Sequence, residues 1–147
     1  MPIKMVDISE KTPTKRTARA FVRLEASADL IRKIRDNRLS KGDSLAAAQA
    51  AGILAAKNTA GLIPLCHPLP VSSVDISFSF RRGVLEITSV VKASYATGVE
   101  MEALCACAVA ALTVYDMAKA HDKGIVITGL RLLEKRGGKS GAWKASL

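Results

Sequence analysis

The feature that most limits the fold is VSSVDISFSF-RRG-VLEITSVVKAS, residues 71–94. Both halves alternate apolar and polar residues, the period of a half-buried strand. The short polar link Arg81-Arg82-Gly83 joins them as an antiparallel hairpin. Such a pair buries one face, so the rest of the chain must extend the sheet and cover it. Residues 16–24, RTARAFVRL, alternate in the same way, with Ala18, Ala20 and Val22 set against Arg19 and Arg23. GIVITGLRLLEKRGG reads as a last strand trailing into a Gly- and Lys-rich tail. Ser27 caps a helix over ADLIRKIRDN, whose apolar face is Leu30, Ile31 and Ile34. After the break at Lys41-Gly42, Asp43 or Ser44 opens a second helix over residues 43–58. It is nearly all small apolar residues, so other elements can approach it closely. Pro64, Pro68 and Pro70 exclude a helix from GLIPLCHPLP. A third helix runs from about residue 98 to 120. The order is β, α, α, β, β, α, β. With one of the adjacent helices set aside it becomes βαββαβ, the split-βαβ arrangement. The expected fold is therefore α+β: an antiparallel four-stranded sheet with an additional helix and helices mainly on one face. Residues 1–14 are expected to be a flexible N-terminal arm, and 15–147 a single catalytic domain.

Composition narrows the function. Hydrophobic residues make up 49% of 147, enough for a core. No secretory signal is visible, and the charge-free run 103–115 is shorter than the ~20 apolar residues of a membrane span. A soluble, cytoplasmic chain with no membrane partner is expected. The odd set Cys66, Cys105 and Cys107 argues against a disulfide scaffold. A net charge of +9 favours an anionic partner, while aromatics at 4% offer few platforms for bases. That tilts the reading from nucleic acid to a polyphosphate ligand. The third helix is apolar nearly all round, and self-association is the simplest cover for the face the sheet does not use.

Several residues invite chemistry. Thr97 and Glu100 have capping-box spacing, so Glu100 has an ordinary structural reading beside the catalytic one. Glu102 lies roughly 200° further round a regular helix. Asp116 sits near the helix C-terminus, where the macrodipole disfavours an anion, and Lys119 can pair with it. Fourteen residues separate Glu102 from Asp116, about 21 Å along a helix. They serve different purposes, or one site is assembled from two subunits. His67, between Cys66 and Pro68, is a proton carrier near neutral pH or a histidine bonded to its own loop. Cys105 and Cys107 diverge on a helix, so no metal site is read. Lys41 sits on a turn before a helix N-terminus, suited to phosphate. Lys57 is the one charge between Asp43 and His67, and KRGGKSG, residues 135–141, is a phosphate-gripping tail or a loose end.

In order and spacing, MVDIS, KGD, AAK, LIPLCHPLP, TGVEMEAL, VAALTVYDMAKA and GGKSG resemble the cyclic pyranopterin monophosphate synthase family (molybdenum cofactor biosynthesis protein C family), from about Met5 to Trp143. The resemblance implies a ferredoxin-like fold and a homohexamer, a trimer of dimers, with active sites at dimer interfaces. It implies a GTP-derived substrate, 3′,8-cyclo-7,8-dihydro-GTP, converted to cyclic pyranopterin monophosphate with release of diphosphate. The catalytic set falls on Lys41, His67, Glu100, Glu102, Asp116 and Lys119. Substrate contacts fall on Leu65, Cys66, His67, Met101 and Glu102, with Lys57 and Lys139 facing the triphosphate. No obligatory cofactor is implied; Mg²⁺ enters only as counter-ion to the triphosphate. Ala96 departs from the basic residue often found before the Thr-Gly pair, which puts one phosphate contact in question. The competing readings are a non-catalytic binder of nucleotide or RNA and a purely structural oligomer. Carboxylates inside a site for an anion favour the enzyme, because they repel the ligand unless they carry protons.

Overall fold

A computed structural model describes residues 1–146. In chain order it contains β1 (Thr14–Glu25), α1 (Ala28–Arg35), α2 (Ser44–Lys57), α3 (Thr59–Leu62), β2 (Val71–Arg81), β3 (Val84–Tyr95), α4 (Glu100–Ala118), β4 (Val126–Arg136) and β5 (Trp143–Lys144). The strands form one antiparallel sheet in the order β2-β3-β1-β4-β5. Its first four positions have the ferredoxin-like order expected of a βαββαβ chain. The fifth strand is a correction to the four-stranded expectation. It is only Trp143 and Lys144, laid against Lys135 and Glu134, too short to leave an alternating pattern.

Local chemistry sets the element ends. Ser27 Oγ accepts from the Leu30 N–H at 3.2 Å, and Asp43 Oδ1 accepts from the N–H groups of Leu45 and Ala46, each at 3.0 Å. These are the caps the sequence suggests. The hairpin turns at Arg82-Gly83, where Gly83 takes a φ of 73° that a side chain resists. Register then fixes the faces. Val22 and Leu24 of β1 lie opposite Ile87 and Leu85 of β3, and all four are fully buried on the helical side. On the other face Phe21 lies under the Arg131 guanidinium, 5.0 Å from its ring centre.

Helix α4 rests on this sheet, and α2 covers much of its second side. Gly52 of α2 makes that possible: a Cβ there would overlap Ile76 and stand 2.9 Å from the Ala106 carbonyl. The face of α4 that the sheet does not use is thus largely covered within the chain. The uncovered apolar surface is a smaller patch spread over α2, α3 and α4, with Leu54, Leu62 and Leu112 each 57% exposed. Cys107 is a buried core thiol, as expected of a small helical residue. Its Sγ donates to Ser89 Oγ at 3.2 Å, and Ser89 donates to the Ala103 carbonyl at 2.7 Å, tying α4 to β3. By length and composition α4 would suit a membrane crossing, but half of its apolar window is buried in this fold.

Candidate active site

Three groups of polar residues come out of this framework. The first surrounds a cleft of ≈ 440 Å³ where the α4 N-terminus meets the proline-bounded loop after α3. Leu65, Cys66 and His67 line it from the loop, and Glu100, Met101 and Glu102 from the first turn of α4. Glu100 and Glu102 share it although they stand about 200° apart on α4, because the Glu100 carboxylate folds back over Gly98.

The two glutamates sit in contrasting environments. Thr97 and Glu100 do not form the capping box their spacing allows. Val99 is the N-cap, with no side-chain cap hydrogen bond. The Glu100 carboxylate instead folds back over Gly98 and accepts from Lys135 Nζ at 2.8 Å. Burial works to raise its pKa, but Lys135, with the Glu100 N–H and Arg16, holds it below the ordinary carboxylate value. Glu102 is 3% exposed and pairs with no cation among the described residues. Burial, then the charge of Glu100, pushes its pKa up against its own N–H. The two neighbouring carboxylates are thus shifted in opposite directions, Glu100 down and Glu102 up. The Cys66 thiol is likewise pushed up, by burial and then by Glu102, and stays protonated.

A second cleft of ≈ 630 Å³ adjoins the first and shares Lys11, Thr97, Gly98 and Glu100 with it. Lys139 lines this one, together with Arg16 and Lys135. The glycines of KRGGKSG are needed for shape. Gly137 and Gly138 have φ of 96° and 81° where the chain crosses β1, and a Cβ at Gly138 would overlap the Arg16 guanidinium. Ala96 lines this cleft, and its carbonyl accepts from Arg16 Nη2 at 3.3 Å.

The third group lies at the other end of α4. Asp116 is held by Lys119 Nζ at 2.7 Å and Lys41 Nζ at 3.1 Å. Lys41 also donates to the Asp116 carbonyl at 3.1 Å, answering the unfavourable dipole at the helix C-terminus. Lys119, then Lys41, lowers the Asp116 pKa, and Asp116 raises that of Lys119. Lys57, in the last turn of α2, lines neither cleft. Sequence reasoning missed Lys135 as the partner of Glu100, and it missed Lys11, Arg16, Thr97 and Gly98 as cleft residues. Only the basic tail hinted at Lys135. Among the described residues no three His, Cys, Asp or Glu side chains converge as a metal cluster.

Fold and site together define a ferredoxin-like α+β domain carrying acid/base groups beside a cationic cleft. The profile of the MoaC family matches residues 5–138, and the chain belongs to that family. Relatives with the name cyclic pyranopterin monophosphate synthase align along nearly all of it. One from Streptomyces avermitilis is 54% identical over 97% of this chain and 84% of its own length. Those of Bacillus subtilis and Bacillus velezensis are each 52% identical, over 98% and 96% of this chain and 87% and 85% of their own lengths.

Proposed function

We propose that the chain is a cyclic pyranopterin monophosphate synthase of molybdenum cofactor biosynthesis. It would convert (8S)-3′,8-cyclo-7,8-dihydroguanosine 5′-triphosphate to cyclic pyranopterin monophosphate and diphosphate. The supporting observation is the convergence of Leu65, Cys66, His67, Glu100, Met101 and Glu102 on one cleft, with the Lys139 cleft joined to it. The reaction opens the imidazole-derived ring, rebuilds it as a pterin and closes a cyclic phosphate. It needs proton transfers and a stabilised leaving group, which carboxylates, histidine and lysines supply. Glu102, whose pKa burial raises, serves as proton carrier beside His67 on the purine-derived part, while Glu100, fixed by Lys135, stays anionic. Lys139 and Lys57 offset charge as diphosphate leaves, with Mg²⁺ accompanying the phosphates and no obligatory cofactor. Lys119 serves as a cation or acid, since its pKa is raised, and Asp116 as its ionised partner. Lys41 completes that group.

The Asp116 group and the Glu102 group occupy opposite ends of one helix, about 21 Å apart by its rise. We therefore place each site between two subunits, in a cytoplasmic homohexamer built as a trimer of dimers. The exposed patch of Leu54, Leu62 and Leu112 supports an apolar contact between copies. The test is anaerobic incubation with the cyclo-dihydro-GTP, following diphosphate and pterin. Asp116→Asn and Glu102→Gln should each be inactive. Subunits of the two variants, mixed by reversible unfolding, should recover about a quarter of wild-type activity. Half of the random dimers are then mixed, each with one intact site of two. Full activity of Asp116→Asn removes that residue from the mechanism, and no recovery on mixing removes the shared site.

A further inference from the structure

A third cleft, of ≈ 410 Å³, lies between α1 and the turn of the β2–β3 hairpin. None of the residues assigned to chemistry or substrate lines it. Strand β1 separates it from the basic cleft. Arg16 lines that cleft, whereas Glu25, nine residues on, pairs with Val84 beside the hairpin turn. Nine residues of strand span about 30 Å.

Four arginines line the third cleft, Arg32 and Arg35 from α1 and Arg81 and Arg82 from the hairpin, together with Ile31 and Phe80. The arginines are exposed, Ile31 is buried and Phe80 half-buried, so a cationic rim surrounds an apolar floor. No carboxylate lines the cleft. Asp29 holds Arg32 at 3.0 Å, Asp36 holds Arg35 at 2.9 Å, and Glu86 stands 3.6 Å from Arg81. These three arginine side chains are more than half exposed, and such surface pairs hold weakly, so incoming carboxylates can join or replace them. Arg82 pairs with no carboxylate among the described residues. The two walls are fixed to each other. The Ala26 N–H, just before α1, donates to the Gly83 carbonyl at 3.0 Å, and a Cβ at Gly83 would stand 3.1 Å from the Ala26 carbonyl. The arginines therefore project from a preset frame, and a ligand has only side chains to order.

This arrangement selects among anions. Three of the guanidinium groups are drawn toward three separate carboxylates, so the charge is spread around the rim rather than focused on the point a single phosphate would occupy. Phe80, the one aromatic in the cleft, is half-buried and makes a poor platform for stacked bases. An extended acidic peptide matches both features. Its carboxylates take the guanidinium groups in two-pronged bonds, and an apolar side chain between them covers the floor. We propose that this cleft docks an acidic peptide segment of a partner protein. One apolar side chain seats on Ile31 and Phe80, and its flanking carboxylates reach the four arginines. This docking is independent of the synthase reading.

The probe is a short fluorescein-labelled peptide of glutamates around one central leucine, titrated with the full-length protein and followed by anisotropy. Arg82→Glu and Arg35→Glu change exposed side chains, and unaltered thermal melting checks their fold. Each should bind the probe about tenfold or more weakly than wild type, the scale of one lost charge-assisted pair. Lys139→Gln, in the basic cleft, should bind it as wild type does. Replacing the probe's leucine by serine should weaken binding about fivefold or more, as expected when an apolar side chain loses its seat. Inorganic phosphate, at matched ionic strength, should not displace the probe. Equal binding by wild type and both arginine variants, or no binding by any of them, overturns the proposal. So does a loss confined to Lys139→Gln, an indifference to the leucine, or displacement by phosphate, which would make this a small-anion site.

Discussion

Glu102→Gln should stabilise the fold at neutral pH while removing its chemistry. The side chain is 3% exposed, has no cationic partner among the described residues, and lies beside the negative Glu100. Burying an ionised or unsatisfied polar group costs about 1–3 kcal/mol. Glutamine keeps the shape and removes the charge but leaves a buried amide, so the gain falls near ~1 kcal/mol, the low end of that range. For 147 residues this corresponds to a Tm rise of about 3 °C. The pH dependence follows from the direction of the shift. The folded pKa is raised above the unfolded carboxylate value, so the native state binds the Glu102 proton more tightly than the unfolded state. Below the unfolded value both states hold the proton and the penalty is absent. As pH rises from there through the folded pKa, wild type loses stability that the glutamine variant keeps, and the gap then stays constant. Thermal unfolding followed by circular dichroism, at one protein concentration and in steps from pH 4 to 8, measures this divergence. Parallel curves would show that folding leaves the Glu102 pKa unshifted, and a wild type that gains on the variant as pH rises would show that the folded protein stabilises the ionised carboxylate. Activity should fall by about 10²–10⁴-fold, the usual share of a positioned proton donor.

Two further changes probe the scaffold and the ionised carboxylate. Gly52→Val places methyl groups against Ile76 and the Ala106 carbonyl, and the overpacking should cost about 1–3 kcal/mol in chemical denaturation, with Ala106→Gly unable to relieve it because the clash is with backbone. Lys135→Gln frees Glu100, whose pKa should then move up. The stability from this half-buried pair, present above the unfolded carboxylate pKa and lost as pH falls through the lower folded one, should drop by about 1 kcal/mol at pH 7 in the variant, with the difference closing toward acid, as read by pH-dependent urea melts.

What the sequence reveals is what short-range physics decides. The β2–β3 hairpin follows from period-two alternation, and the caps at Ser27 and Asp43 from side chains two or three residues from their targets. Thr97 and Glu100 show where that reach stops. Their spacing fits a capping box, but Lys135 arrives through the β1–β4 pairing and takes the carboxylate. Gly137 and Gly138 read as looseness, yet they are confined by the strand they cross, and only the register of β4 on β1 reveals that contact. The gathering of His67 with Glu100 and Glu102 is anticipated only through the family resemblance. Nothing in the spacing of a loop histidine and two helical acids brings them to one cleft. Lys11 had neither periodicity nor motif to mark it, because its position depends on where the arm lies.

The placement of α2 explains why acid/base groups appear at both ends of α4. Lys41, just before α2, reaches Asp116 at the C-terminal end of α4. The far end of α2 passes Thr59 beside Cys105 and leads through α3 to the His67 loop. The two helices are therefore antiparallel, and each end of the pair carries one part of the proposed catalytic set. A two-fold axis across the middle of α4 would set the Glu102 end of one copy beside the Asp116 end of the other, and do so twice. The midpoint between Glu102 and Asp116 is Val109, which lines an exposed apolar groove with Leu54 and Leu62. The remaining apolar patch thus lies where such an axis must cross. In the proposed dimer, the contact that covers the apolar patch would also bring the two halves of the proposed catalytic set within reach of one substrate.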